Sequence, residues 1–394
     1  FLKKFAALSA LTASSLPAIV VDQQQKTLLK RTVGTLSPND RLQIATIGMG
    51  IIGFIDTVTA ISVPGIELVA ACDLYDGRLV HTKEVFGDQV TTTRDYKEII
   101  DRSDVDAILI CTPDHWHARI AIDALKAGKH VYCEKPMVQD VADGKKLIRA
   151  QKNSGCVFQV GSQFVSSIVF EEARKQFASG AIGELNMIEA RYNRNSAIGA
   201  WQYTIPPDAS PKTLDWEQFI SGTKKRAFDP VRFFRWRNYW DYGTGVAGDL
   251  FVHLFSGLHH ILSSNGPNRI VATGGLRFWK DGRDAPDMML GLCDYPETES
   301  HPAFNLTLQT NFAHGGGGGT DCNNTDCADA AWIDDIIFPP AYMESDGMPG
   351  DVNMDGIINI LDVIVIINMI LGVEDQSTLA DLNGDGSINI QDII

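Results

Sequence analysis

No lysine or arginine follows Arg283 in this 394-residue chain, whereas residues 321–394 carry fifteen Asp and Glu. That stretch alone equals the whole formal net charge of -15. Binding phosphates requires fixed positive charge, so the acidic tail excludes a nucleic-acid surface there and suits multivalent cations instead. Long hydrophobic runs are also missing. Nothing approaches the roughly 18 apolar residues of a membrane span, so none is expected. Cysteine is sparse, seven in all, and its spacing fits neither a zinc nor an iron–sulfur pattern. Cys72, Cys111, Cys133 and Cys156 lie in or beside apolar segments and read as small core residues. Cys322 and Cys327, in DCNNTDC, could close a short disulfide after export.

At 43.2 kDa the chain can bury a sizeable core, and its length suggests two or three domains. The first residues, FLKKFAALSALTASSLPAIV, place Lys3 and Lys4 before a modest apolar run and small residues near Ser15. This resembles an export signal lacking its beginning, so a periplasmic or extracellular location is expected. A cytoplasmic protein would follow if these residues were only an amphipathic or disordered start.

LQIATIGMGIIGFIDTVTAI opens the informative region. Residues 42–47 read as a buried strand, Gly48, Gly50 and Gly53 form GxGxxG, and the periodicity beyond them reads as a helix. The glycines allow a tight turn and let a pyrophosphate approach backbone N–H groups at the helix start, around Ile51 and Ile52. A second strand, IELVAACD, ends at Asp73, twenty residues after Gly53, where a carboxylate can accept both ribose hydroxyls. That favours NAD(H). Arg78 leaves some room for NADP(H), although Asp73 would repel a 2'-phosphate.

VDAILICTPDHWHARIAIDALKAGKHVYCEKP adds a strand, a helix near 116–127 and another strand. Cofactor or substrate should meet the strand ends, at Thr112, Pro113 and His117 and again at Glu134 to Pro136. His115 and His117 lack a third convergent metal ligand, which points to loop or cofactor contacts rather than zinc. Between Glu134 and Pro136, the Lys135 amine could position a hydroxyl and stabilise negative charge developing on oxygen. A solvated surface lysine is the bland alternative. Further along, Asp249 and His253 in GDLFVHLFSGLHH are four apart, so a helix would put both on one face. His253 could then take a hydroxyl proton while Asp249 orients or polarises the imidazole.

GMGIIG, Asp73, TPDHWH, EKP and the Asp249-x-x-x-His253 spacing together resemble the Gfo/Idh/MocA family over about residues 40–313. The resemblance implies an α/β Rossmann domain at 40–160 and an α/β open-sheet substrate domain at 161–313. It implies oxidation or reduction of a sugar, cyclitol or related polyol by a tightly held nicotinamide cofactor, with Lys135 as the substrate-binding and catalytic lysine. Substrate contacts are expected from Lys135, Asp249, His253, Gln163, and Arg191, Tyr192 and Asn193 in a strand facing the site; spacing does not choose among the last three. RFFRWRNYWDYGTG, which includes Trp240, reads as pocket wall or interdomain packing rather than an RNA-binding stretch. Some relatives in this fold resemble NAD-dependent glycoside hydrolases that act by transient oxidation and elimination. The pattern breaks at NFAHGGGGGT, where a family member would carry more sheet, so the second domain is expected to be incomplete.

Residues 314–345 form a Gly-rich junction followed by CNNTDCADAAWIDDIIFPP, which resembles the closing edge of a jelly-roll domain. Two calcium-loop patterns then occupy residues 346–394. Asp351, Asn353, Asp355, Ile357, Asn359 and Asp362 form the first set, and Asp381, Asn383, Asp385, Ser387, Asn389 and Asp392 the second. Hard oxygen ligands at these offsets, one of them the Ile357 carbonyl, are what up to two calcium ions require. With NILDVIVIINMILG as a helix, the pair resembles a type I dockerin, which implies a small helical tail and a cohesin-like partner; the second helix would follow Asp392 but the sequence stops at Ile394, so a truncated tail is expected. Sugar or polyol is the expected substrate and homo-oligomerisation is left open. Two other readings remain: a non-catalytic secreted calcium-binding scaffold, and a chimeric gene product joined near 314 and 341.

Overall fold

The computed structural model describes residues 41–313 and the backbone strand Ile336–Ile337. The export-like segment, Cys322 and Cys327, the rest of the jelly-roll-like fragment, and both calcium loops, Asp351 to Asp362 and Asp381 to Asp392, lie outside the described residues.

The first unit alternates strands and helices: β1 (Leu42–Ile47), α1 (Ile51–Ile61), β2 (Ile66–Cys72), α2 (Asp76–Phe86), β3 (Thr91–Thr93), α3 (Tyr96–Ile100), β4 (Ala107–Ile110), α4 (Asp114–Lys126), β5 (His130–Glu134), α5 (Val141–Ser154) and β6 (Phe158–Gly161). All six strands pair in parallel in the order β3-β2-β1-β4-β5-β6. Helices cover both faces of such a sheet, so its strands are continuously apolar. Ile44, Ala45 and Ile47 of β1 and Ile108 and Ile110 of β4 are accordingly 2% exposed or less. The strand order reverses beside β1, which opens a crevice at the carboxyl ends of β1 and β4.

The second unit contains α6 (Ile168–Ala178), β7 (Met187–Arg191), α7 (Trp216–Phe219), α8 (Pro230–Phe234), α9 (Val252–Leu262), β8 (Arg269–Gly275), β9 (Met288–Tyr295), β10 (Phe304–Asn311) and β11 (Ile336–Ile337). Its sheet runs β11-β7-β10-β9-β8, with β10 parallel to β7 and the other pairs antiparallel. Period-2 alternation sends Ile188 and Ala190, Leu306 and Leu308, and Cys293 to one face, where they pack with Phe170, Leu254, Leu258 and Ile261 from α6 and α9. The other face carries Val271, Leu290 and Leu292, all exposed, beside Glu189, Arg191, Thr307 and Gln309.

The stretch between β7 and α9 folds back onto the first unit. Asp229 caps α8 by accepting from Val231 N–H, with Pro230 next to it in the first turn. Phe233, Phe234, Tyr239 and Tyr242 then form one apolar cluster with Leu214, Trp216, Phe219 and Tyr75. Tyr75 pairs with Leu214 in an isolated bridge, and Asp76 N–H donates to the Thr213 carbonyl at 2.9 Å. The Arg/aromatic string is therefore interdomain packing.

Candidate active site

The three turn glycines do different work. Gly48 has φ +97°, and a Cβ there would lie 2.6 Å from the Cys111 carbonyl oxygen. A Cβ on Gly53 would overlap the Gly48 carbonyl oxygen, so glycine is required for α1 to close against the turn. At Gly50 a Cβ would meet only the Arg78 guanidinium, at 3.8 Å, so this side stays open to a ligand at the N-terminus of α1. Ile51 and Ile52 follow there, both exposed.

Asp73 is buried at the end of β2. Its carboxylate accepts from Met49 N–H at 2.8 Å and Tyr75 N–H at 2.9 Å, and the Arg78 guanidinium stands 3.3 Å away. At the end of β4, the Thr112 hydroxyl and Asp114 Oδ1 are buried and without a hydrogen-bond partner among the described residues. Pro113 sits between them as the N-cap of α4. An open glycine cradle, a ribose-height carboxylate and unsatisfied polar atoms across the crevice fit a dinucleotide.

Two histidines make contacts to backbone carbonyls. His117 is buried, with Nδ1 2.7 Å from the Pro136 carbonyl and Nε2 2.8 Å from that of Thr112. The ring thereby bridges the segments that follow β4 and β5. His115 places Nε2 2.9 Å from the Phe219 carbonyl and packs against Phe219 and Tyr242. Burial pulls its pKa down to about 4, leaving a neutral core imidazole.

Beyond β5, Glu134 accepts from the Tyr132 hydroxyl at 3.1 Å and from Lys135 N–H at 3.3 Å. Burial, then the nearby Asp56 charge, raises its pKa; Asp56 itself is lifted by burial to about 6. Lys135 reaches across to the second unit, where its Nζ donates to the Asp249 carbonyl oxygen at 2.8 Å and to Asp249 Oδ1 at 3.0 Å. Both side chains are about nine-tenths buried. Arg237 Nε donates to the same carboxylate oxygen at 3.0 Å. Burial alone would raise the Asp249 pKa, but the charges of Lys135 and Arg237 outweigh it and hold the carboxyl well below the usual carboxylate range.

The backbone departs from a regular helix at this point. Residues Ala247–Phe251 form a π turn before α9 begins at Val252. Asp249 lies in this π turn and His253 in the first turn of α9. Asp249 Oδ1 serves Lys135 and Arg237, while the His253 ring lies against Phe164 at 5.1 Å and Tyr192 at 6.4 Å between centroids. Burial, then the Lys135 charge, pulls the His253 pKa to about 3, so this imidazole is neutral at rest.

The remaining expected contacts divide. Tyr192 and His253 share the helix-covered side of β7, and Asn193 follows Tyr192 as the strand ends. Arg191 points to the opposite face, where it pairs with Glu189 at 3.0 Å; strand alternation separates it from the site and corrects its expected substrate role. Gln163 is exposed in the short turn after β6. Trp240 is half exposed, with its ring beside Gly245 and its indole N–H donating to the Asp284 carbonyl at 3.1 Å. Arg237 was hidden among the arginines of RFFRWRNYWDYGTG; only its distance of twelve residues from Asp249 was available as a signal.

Comparison with known proteins finds likenesses over part of the chain. Over 176 residues the chain is 30% identical to an inositol 2-dehydrogenase of Salmonella paratyphi B, covering 44% of this chain and 51% of that protein. It is 31% identical over 176 residues to glycosyl hydrolase family 109 protein 1 of Shewanella sp., covering 41% and 38%. The chain thus spans about half, or less, of the length of these curated relatives. A solved NAD-binding protein from Listeria innocua superposes with a TM-score of 0.52 at 22% identity, covering 70% of this chain and 68% of that one, a likeness of fold. Residues 42–162 match the Gfo/Idh/MocA model, described as oxidoreductase family, NAD-binding Rossmann fold, and residues 349–394 match the dockerin type I domain.

Proposed function

We propose that this protein is an NAD(H)-dependent oxidoreductase acting on a CH–OH group of a sugar, cyclitol or related polyol. The observation that carries the reading is the buried Lys135–Asp249 pair, which brings an ammonium to the carboxyl end of β5 beside the neutral His253. An ammonium has three N–H donors, and Asp249 takes two of them. The third is left to hold a substrate hydroxyl and to stabilise negative charge on its oxygen. His253, neutral at rest, takes the hydroxyl proton on a ring nitrogen. Asp249, held as an anion by Lys135 and Arg237, keeps the Lys135 side chain in place. Tyr192 and Asn193 line the adjoining side. The bound nicotinamide supplies the hydride acceptor, or the donor in the reverse direction.

The test is absorbance at 340 nm with NAD and a panel of myo-inositol, levoglucosan and simple hexoses. Net NADH formation with any member supports the reading; no response in either direction, with bound cofactor verified, opposes it. A glycoside hydrolase acting through transient oxidation is the second reading, favoured by the likeness to the Shewanella protein. Release of p-nitrophenol from a p-nitrophenyl glycoside, dependent on NAD but without net NADH, would select it.

The tail adds a calcium-dependent attachment function to this proposal. The dockerin match over residues 349–394 supports up to two calcium ions and a cohesin-like partner, and with it a periplasmic or extracellular site of action. No helix among the described residues is long and apolar enough to cross a membrane. Self-association fits the outer face of the second sheet, where Val271, Leu290 and Leu292 are exposed.

A further inference from the structure

The ladder between β7 and β10 continues past the end of β7: Tyr192 N–H donates to the Gln309 carbonyl at 2.8 Å, and Arg194 N–H to that of Asn311 at 3.2 Å. Strand alternation therefore puts Arg194 on the same side as Tyr192 and opposite to Arg191. Its guanidinium carbon lies 5.8 Å from the centre of the Tyr192 ring, which is itself stacked 6.4 Å from the His253 ring. Gly199 makes room for this side chain, because a Cβ there would lie 3.0 Å from the Arg194 Cβ and 3.2 Å from its Nε. The charge is felt at the site. Burial and then the Lys135 charge keep His253 neutral, and the Arg194 charge acts in the same direction.

Arg194 differs from the cations around it in having no counter-ion. Lys135 and Arg237 share the Asp249 carboxylate, Arg191 has Glu189, and Arg283 has Asp281. Among the described residues Arg194 forms no ion pair, and its guanidinium makes no hydrogen bond. From this arrangement we propose that Arg194 is a specificity-determining residue that binds a carboxylate of the substrate, so that the sugar or polyol oxidised is a sugar acid. The inference rests on the oxidoreductase reading above and deepens it by giving the substrate a charge. A half-buried guanidinium laid against an aromatic ring offers its planar fork in a fixed orientation, which matches a carboxylate through two parallel N–H···O bonds. A phosphate dianion would draw on more positive charge than Arg194 supplies, which favours the carboxylate. Lys135 and Arg194 both act on His253, so one small molecule can present its reacting hydroxyl to the first and its acid group to the second. Because the acid group does not react, Arg194 holds it equally before and during hydride transfer. The contact therefore lowers KM more than it raises kcat.

The test is kcat/KM of the full chain with NAD on matched sets of D-glucose, D-glucuronate and D-glucose 6-phosphate, and of D-galactose and D-galacturonate. The parent should favour each uronate over its neutral sugar by about tenfold or more, as one charge-assisted contact predicts, and the advantage should shrink as salt is raised. Arg194→Gln should cut the ratio of uronate to neutral sugar by about tenfold or more, chiefly through KM for the uronate, and Arg194→Lys should restore part of it. NADH affinity and thermal unfolding of each variant check that the fold is kept. A parent that favours the neutral sugar or the 6-phosphate, or an Arg194→Gln variant whose ratio is unchanged, overturns the inference and leaves the oxidoreductase reading standing. If the parent turns over no member of either set with bound NAD verified, that reading fails and the inference falls with it.

Discussion

The buried imidazole of His253 should make stability depend on pH in a way that one substitution removes. Its pKa falls from 6.5 to about 3 because burial, and then the Lys135 charge, oppose the protonated form. Between those values the unfolded chain binds a proton that the folded chain refuses, so stability is complete above 6.5 and is lost as pH falls. At about pH 5 the difference is about 1.5 pH units below the unfolded value, or about 2 kcal/mol from this group. His253→Gln retains a polar side chain of similar reach without a titrating ring. Urea unfolding midpoints measured at about pH 7.5 and about pH 5 should therefore drop less in the variant than in the parent, by about 2 kcal/mol after extrapolation. His115, lowered to about 4, acts in the same direction, and Asp56, raised to about 6, acts in the opposite one. Both are present in parent and variant, so the comparison isolates His253. Equal pH losses in the two proteins would refute the buried neutral imidazole.

Two turn glycines should separate binding from folding. Gly50→Val projects into the open side of the turn near Arg78, so calorimetry should find NADH binding weakened by at least about tenfold with the melting temperature nearly unchanged. Gly53→Ala instead drives a methyl into the Gly48 carbonyl, and thermal unfolding should show a loss of about 1–3 kcal/mol or more. Calorimetric titration of chelator-treated full chain with calcium should find two sites, and Asp355→Ala should remove one while leaving NADH binding intact.

The nucleotide unit was legible because its signals are local. A strand buried on both faces writes a continuous apolar run, as β1 and β4 do, and GxGxxG followed by Asp73 fixes the turn and the carboxylate within one βαβ unit. The short β3, Thr91–Thr93, has no apolar run and was not anticipated. Lys135, Asp249 and His253 were named from motifs, whereas the π turn at Ala247–Phe251 and the Lys135–Asp249 contact leave no mark that residue spacing can read. Contacts across the chain were hidden for the same reason: nothing local says that Arg237, rather than Arg232 or Arg235, meets Asp249. Arg191 was a different kind of miss. Ile188, Ala190 and Tyr192 share one strand parity and are buried, so Arg191 belongs with Glu189 on the other face, and the alternation already contained that answer.

In the proposed reaction Lys135 holds the reacting hydroxyl, and the nucleotide half of the site stands independently of it. The direct measurement pairs NADH binding with polyol-dependent NAD reduction in Lys135→Met, using whichever polyol the parent oxidises. NADH affinity should stay within about threefold of the parent while turnover falls by roughly 10²–10³-fold, the loss expected for one preorganised donor at a developing oxyanion. Turnover that survives the substitution would contradict the account, and so would a loss of NADH binding that matches the loss of turnover.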